Sequence, residues 1–389
     1  MARNLVICCD GTGNQFDSVN TNVVRIVQAI DRDPTKQRLY YDPGVGTLPE
    51  PGVWGAARQK ASLVLGLAFG AGMMWKVQEA YTYLMNIWEP GDRIFLFGFS
   101  RGAYTVRVLA GMLHAFGLLP RGNENLVPYA AKTYQALRNK NFKKWQELCD
   151  NFRWTFARPS TEEDDRRCPV HFLGVWDTVS SVGWVWDPPR FPFTTHNPSI
   201  RVIRHAVSVD ERRCFFRQNL LGQEDGQDFK QYWFSGVHSD VGGGYPESDS
   251  SLWRESFEWM LNEASTAGLI LKDDRLAAVR SKTQSITGDP WTDPQHESLK
   301  GPWWILEFIP KPVWNQAMKC RLPQFGLGRH RIIPDKAFIH RSTLLRVREK
   351  SDYSPPNFSN AFLNKVRSLT AVPETLPYMN NPMQAGGDL

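Results

Sequence analysis

The sequence predicts an α/β fold: a mainly parallel sheet with helices on both faces. Three observations predict it. Short, wholly apolar runs recur along the chain, as strands buried on both faces require. Stretches with helical spacing of apolar residues separate them. Several runs stop at a glycine-rich or acidic turn, where a parallel strand hands the chain to a loop at its carboxyl end.

In chain order, Asn4 to Cys9 is the first apolar run and stops at Asp10-Gly11-Thr12-Gly13-Asn14. Asn22 can cap the helix that follows, with Val23, Val24, Ile26, Val27 and Ile30 as its apolar stripe. Arg38 to Tyr41 reads as a second strand before the turn Pro43-Gly44-Val45-Gly46. Val77 to Trp88 keeps helical spacing until Pro90-Gly91-Asp92, and Ile94 to Phe97 is the next strand. That strand runs into Gly98-Phe99-Ser100-Arg101-Gly102 and then a helix burying Val106, Leu109, Ala110 and Leu113. Val170 to Trp176 resumes the sheet and ends in Asp177; Gln231 to Val237 ends in His238; Leu252 to Ala267 is helical. Strand, sharp turn and helix around a Gly-x-Ser-x-Gly make the predicted sheet α/β-hydrolase-like.

With 389 residues, 42% of them hydrophobic, the chain can bury one large core. The expected layout is a single domain over 1–350 with insertions at about 117–167 and 183–198. Residues 117–167 turn polar and helical with no strand signal, as a lid above the sheet would. Residues 351–389 hold scattered prolines and are expected to form a loosely ordered tail. Aromatic residues gather with prolines in Trp184 to Phe193 and Trp303 to Trp314, which suits loops over an apolar site as well as plain core filling.

The formal net charge of +6 is too small to indicate nucleic-acid binding, and none is expected. Between Lys300 and Lys350, however, eleven Lys and Arg face three Asp and Glu, so this basic, aromatic region is a candidate for peripheral membrane contact. Six cysteines without a C-x-x-C pair suggest neither a disulfide framework nor a zinc site. The strand starting near Leu5 leaves no room for a secretory signal. Ala61 to Trp75, the longest apolar stretch, is shorter than the roughly 20 residues that span a bilayer. The expected location is cytoplasmic, or exported by a route that needs no N-terminal signal, and not transmembrane.

A serine hydroxyl needs a base within hydrogen-bond reach and a third group to fix that base. On this kind of sheet the order is Ser, Asp or Glu, then His, each at a strand's carboxyl end. Ser100, Asp177 and His238 obey it. His340 and His205 compete for the base, and Asp240 is the rival to Asp177. The glycines of Gly236-Val237-His238-Ser239-Asp240-Val241-Gly242-Gly243-Gly244 imply backbone crowded against a neighbour, the nucleophile loop among the candidates. An oxyanion hole would use the Arg101 amide together with the Gly11 or Thr12 amide from the loop after the first strand. A phosphate-cradling reading of that loop lacks the Walker lysine and the full G-x-G-x-x-G spacing.

Together, Cys9 to Asn14, Gly98 to Ala103, Gly174 to Thr178 and Val237 to Gly243 resemble the catalytic domain of type VI secretion phospholipase effectors, over roughly Asn4 to Tyr245. The resemblance implies a Ser100–Asp177–His238 triad acting on phospholipid esters. The expectation is therefore a serine esterase or lipase that cleaves an acyl ester through an acyl-enzyme on Ser100, with no metal or cofactor. Two alternatives stay open: an esterase or thioesterase acting on a small soluble substrate, and a non-catalytic binding protein that retains the fold. Oligomeric state is not legible.

Overall fold

The computed structural model describes residues 2–11, 20–44, 69–139, 141–159, 166–179, 191–281, 288–315 and 320–379. Thr12, most of the Trp184 to Phe193 cluster and the first part of Ala61 to Trp75 lie outside them.

The central sheet has eight strands, and its order explains where a site can form. Strand β1 (Asn4–Cys9) pairs in parallel with β2 (Gln37–Asp42) on one side and with β3 (Arg93–Phe99) on the other. From β3 the sheet continues in parallel through β4 (Val170–Trp176), β5 (Ile200–Ser208), β6 (Asp228–Phe234) and β9 (Phe338–His340). Strand β10 (Thr375–Pro377) closes the far edge, antiparallel to β9. The connection reverses direction between β1 and β3, and such a reversal leaves a crevice beyond the strands' carboxyl ends. A separate hairpin pairs β7 (Lys311–Asn315) with β8 (Cys320–Gln324).

Period-2 alternation sorts the strand side chains onto two cores. Leu5, Ile7, Ile94, Leu96, Leu173 and Val175 face one layer, which contains helices α2 (Phe69–Ile87) and α3 (Arg101–Phe116). Val6, Cys8, Phe95, Phe97, Phe172 and Trp176 face α1 (Asn22–Ala29) and α7 (Trp253–Thr266). Helices α4 (Val127–Gln135) and α5 (Phe142–Phe156), within the expected lid, bury Tyr134, Trp145 and Phe152 in the first layer.

Two expectations need correction, and one strand was not expected. Thr21, not Asn22, caps α1: its Oγ1 accepts from the Val24 amide at 3.3 Å. Asn22 is buried instead, donating to the Val241 carbonyl at 2.9 Å. Strand β5 escaped the apolar-run criterion because Arg201, Arg204 and His205 interrupt it. Arg204 is tolerated there because Glu263 and Asp228 hold it at 2.5 and 2.7 Å. The C-terminal segment is no loose tail over residues 351–379. Tyr353, Phe358, Phe362, Val366 and Tyr378 join Trp233 and Ile339 in a third core, with α10 (Arg341–Glu349) and α11 (Asn360–Arg367).

Candidate active site

Ser100 sits between β3 and α3 with φ 59° and ψ −122°, in the left-handed region that non-glycine residues seldom occupy. Its flanking glycines make this turn feasible. A Cβ on Gly98 would fall 2.6 Å from Ala103 Cα, and one on Gly102 would fall 2.1 Å from the Cys9 carbonyl oxygen. The turn is tied across the sheet by the Ser100 amide donating to Trp176 O at 3.1 Å and the Val179 amide donating to Ser100 O at 3.2 Å.

Asp177, immediately after β4, also has positive φ, at 36°, and is fully buried. Its Oδ2 lies 2.5 Å from His238 Nδ1, so that nitrogen carries the proton and Nε2 is the basic one. Oδ1 accepts from the Ser208 amide at 2.9 Å and from Arg331 Nη1 at 2.5 Å, while Arg331 Nη2 reaches Oδ2 at 3.0 Å. Burial alone would raise this carboxyl. Arg331 and then His238 outweigh it and hold Asp177 well below the usual carboxylate range.

His238 opens the short helix α6 (His238–Gly242), packed against the Ser100 turn. A Cβ on Gly242 would collide with the Phe99 ring at 1.9 Å, which accounts for one glycine of the cluster; Phe99 in turn stacks on the His238 imidazole at 4.5 Å. Phe216 meets His238 edge-on at 4.8 Å and Trp303 at 5.4 Å, and Arg213 lies 3.7 Å over Phe216. Glu211 accepts from the His238 amide at 3.2 Å and pairs with Arg213 at 2.9 Å. Burial pushes the imidazole below its ordinary range against the opposing pull of Asp177.

The competitors are engaged elsewhere. His340 caps α10, its Nδ1 accepting from the Ser342 amide at 3.2 Å, and stacks on Phe234. His205 bridges Gln231 Oε1 at 2.8 Å and the Thr178 amide at 3.3 Å; burial, then Arg107, pushes it down to about 3, so it stays neutral. Asp240 pairs with His296 at 2.6 Å and caps its own helix through the Val237 amide. Asp10 organises the first loop: Oδ1 accepts from Gly11 N at 2.7 Å, and Oδ2 from Thr21 Oγ1 at 2.7 Å and Tyr41 OH at 3.2 Å. The Gly11 amide named for the oxyanion hole is thus held by Asp10. Arg331, Glu211, Arg213 and Phe216 were missed because nothing in sequence distinguishes them: Arg331 is one of eleven basic residues between Lys300 and Lys350.

The family model for the type VI secretion phospholipase effector Tle1-like catalytic domain matches residues 3–263. The chain belongs to this family. This Tle1-like chain is 34% identical over 226 residues to the uncharacterised protein YEL023C of Saccharomyces cerevisiae, covering 56% of the chain and 32% of that protein. Among solved structures it resembles an uncharacterised protein from Pseudomonas aeruginosa (18% identity, TM-score 0.42, 72% of this chain and 48% of that one). It also resembles the Tle1 effector bound to the VgrG spike of the type VI secretion system (19% identity, TM-score 0.37, 65% and 53%). The chain spans about a third of the yeast relative and about half of each solved chain. The Tle1-like match ends before Arg331, so the residue gripping Asp177 comes from outside it.

Proposed function

We propose that this chain is a serine hydrolase that cleaves an acyl ester of a lipid or phospholipid. The observation that carries the reading is Ser100 on its positive-φ turn at the end of β3, one strand from Asp177, whose carboxylate holds the His238 imidazole. In this mechanism His238 Nε2 takes the Ser100 hydroxyl proton as Oγ bonds to the acyl carbon. The tetrahedral oxyanion then collapses to an acyl-enzyme, and the leaving alcohol takes that proton from His238. Water adds next, with His238 again as base, releasing the acid and restoring Ser100.

The Arg101 amide, first in α3, is the oxyanion donor that the turn provides, and the helix N-terminus favours negative charge there. A second donor from the first loop requires Asp10 to release Gly11, or falls to Thr12 outside the described residues.

Two features support a lipid substrate: the phospholipase description of the family and an apolar surface beside His238. From Phe216 and Trp303 it passes to exposed Trp304, Ile305 and Phe308 on and after helix α9 (Trp303–Glu307). The loop bearing exposed Phe325 and Leu327 packs there, since Gly326 N and Gly328 N both bond Glu307. Lys300 and Arg329 are exposed nearby in sequence, so this face is proposed to rest on an anionic membrane. Among the described residues no helix is long and apolar enough to cross one.

The test is labelling with a fluorophosphonate probe, wild type against Ser100→Ala, alongside hydrolysis of phospholipid vesicles and short soluble esters. Serine-dependent labelling with preference for vesicles is expected. An unlabelled, well-folded wild type would sink the enzyme reading, and preference for short esters would sink the lipid one.

A further inference from the structure

We propose that Arg331 is a positioning residue of the Asp177–His238 pair, fixing the carboxylate in one orientation and one charge state. This rests on the hydrolase reading above. An ionised carboxylate offers about four acceptor sites. Here all four are taken: Ser208 N and Arg331 Nη1 on Oδ1, His238 Nδ1 and Arg331 Nη2 on Oδ2. The two-pronged arginine contact defines the carboxylate plane and therefore the direction in which Oδ2 meets the imidazole.

The guanidinium is itself fixed. Nη1 donates to Ser208 Oγ at 2.7 Å and Ser208 O at 3.1 Å, and Nη2 donates to the Phe216 carbonyl. It is buried, as is Asp177, and Asn357 Nδ2 donates to the Arg331 carbonyl at 3.2 Å. Arg331 thereby joins the end of β5 and the Phe216 wall of the site through its side chain, and the C-terminal segment through its carbonyl.

The charge matters as much as the geometry. With a guanidinium on the same carboxylate, an imidazolium at His238 gains less from Asp177, so the pair binds its extra proton at lower pH and His238 stays ready to accept the serine proton. Other charges around the pair are Glu211 and Arg213 from the loop after β5, paired to each other; Asp240 on α6, paired to His296; and His205 on β5, neutral by burial. Only Arg331 ion-pairs with Asp177 directly among the described cationic side chains besides His238.

The test uses the full chain with Arg331→Met, Arg331→Gln and Arg331→Lys, checked for folding by thermal melting. The first readout is the NMR titration of the deshielded His238 Nδ1 proton, assigned by its loss in His238→Ala. The second is the pH profile of fluorophosphonate labelling. In a folded Met or Gln variant, proton uptake is expected to move up by about one pH unit, and labelling at neutral pH to fall severalfold, by more than the shifted midpoint alone explains because the base also loses its orientation. The Lys variant should recover most of the midpoint. An unmoved midpoint, with labelling lost only in proportion to unfolded protein, overturns the proposal, as does failure of both charge-removing variants to fold. The NMR midpoint does not need Ser100 to react, so an unlabelled wild type with a shifted variant midpoint would sink the hydrolase reading alone.

Discussion

Gly102 lies so close to Cys9 that a single added methyl would sit 2.1 Å from the Cys9 carbonyl oxygen. Backbone therefore meets backbone where the Ser100 turn crosses the end of β1, and no side chain is there to yield. Gly102→Ala is expected to cost about 1–3 kcal/mol through overpacking. Urea unfolding measures it; a midpoint equal to wild type would mean that the two loops are not in contact.

Asp177 and Asp240 each hold a histidine, at 2.5 and 2.6 Å, but among these two it is His238 that stacks on Phe99 of the Ser100 turn, whereas His296 stacks on Tyr245. Asp177→Asn should lower turnover on the order of 10³- to 10⁴-fold by misorienting the base. Asp240→Asn should leave most of it. The reverse ranking in initial-rate assays would reassign the acid.

Buried His205 titrates at about 3 in the folded chain, against an ordinary 6.5. Its folded value is depressed, so the unfolded chain binds more protons between those limits, and stability rises with pH there. The contribution is complete above 6.5 and is lost as pH falls toward 3. From pH 7 to pH 4.5 this one group should remove roughly 2–3 kcal/mol. Urea melts of wild type and His205→Asn across that window test this: equal slopes against pH would contradict it.

Ile305 and Phe308 are 69% and 62% exposed on the face beside Trp303. Replacing each by Asp is expected to reduce hydrolysis of anionic vesicles about tenfold or more, since burying a charge at a lipid surface is costly. A short soluble ester should be cleaved as before. Equal losses on both substrates would place these side chains in folding rather than in membrane contact.

Much of the sheet was legible because its strands are buried on both faces. Asn4–Cys9 and Val170–Trp176 need no charge within them and stand out as apolar runs with sharp ends. Chain order and strand ends put Ser100, Asp177 and His238 forward together, and the Asp177–His238 contact joins two of the three. What escaped depends on partners remote in sequence. Strand β5 carries Arg204, neutralised by Glu263; the His238 surroundings include Phe216 and Glu211 from a loop with no motif; and Arg331 meets Asp177 across 154 positions. The segment from 351 to 379 misled because prolines suggest disorder, whereas its apolar residues sit at spacings that matter only once the β6 edge is present to receive them.

That edge has a practical consequence. Tyr232 and Trp233 of β6 pair with Phe338 and Ile339, and β10 then caps the ladder in the opposite direction. A polypeptide cut at the end of the family match would keep Ser100, Asp177 and His238 but expose β6 as a bare strand with aromatic residues along it. Such a margin recruits other chains. The shortened protein is therefore expected to self-associate, and the unit to express is the one that finishes its own sheet.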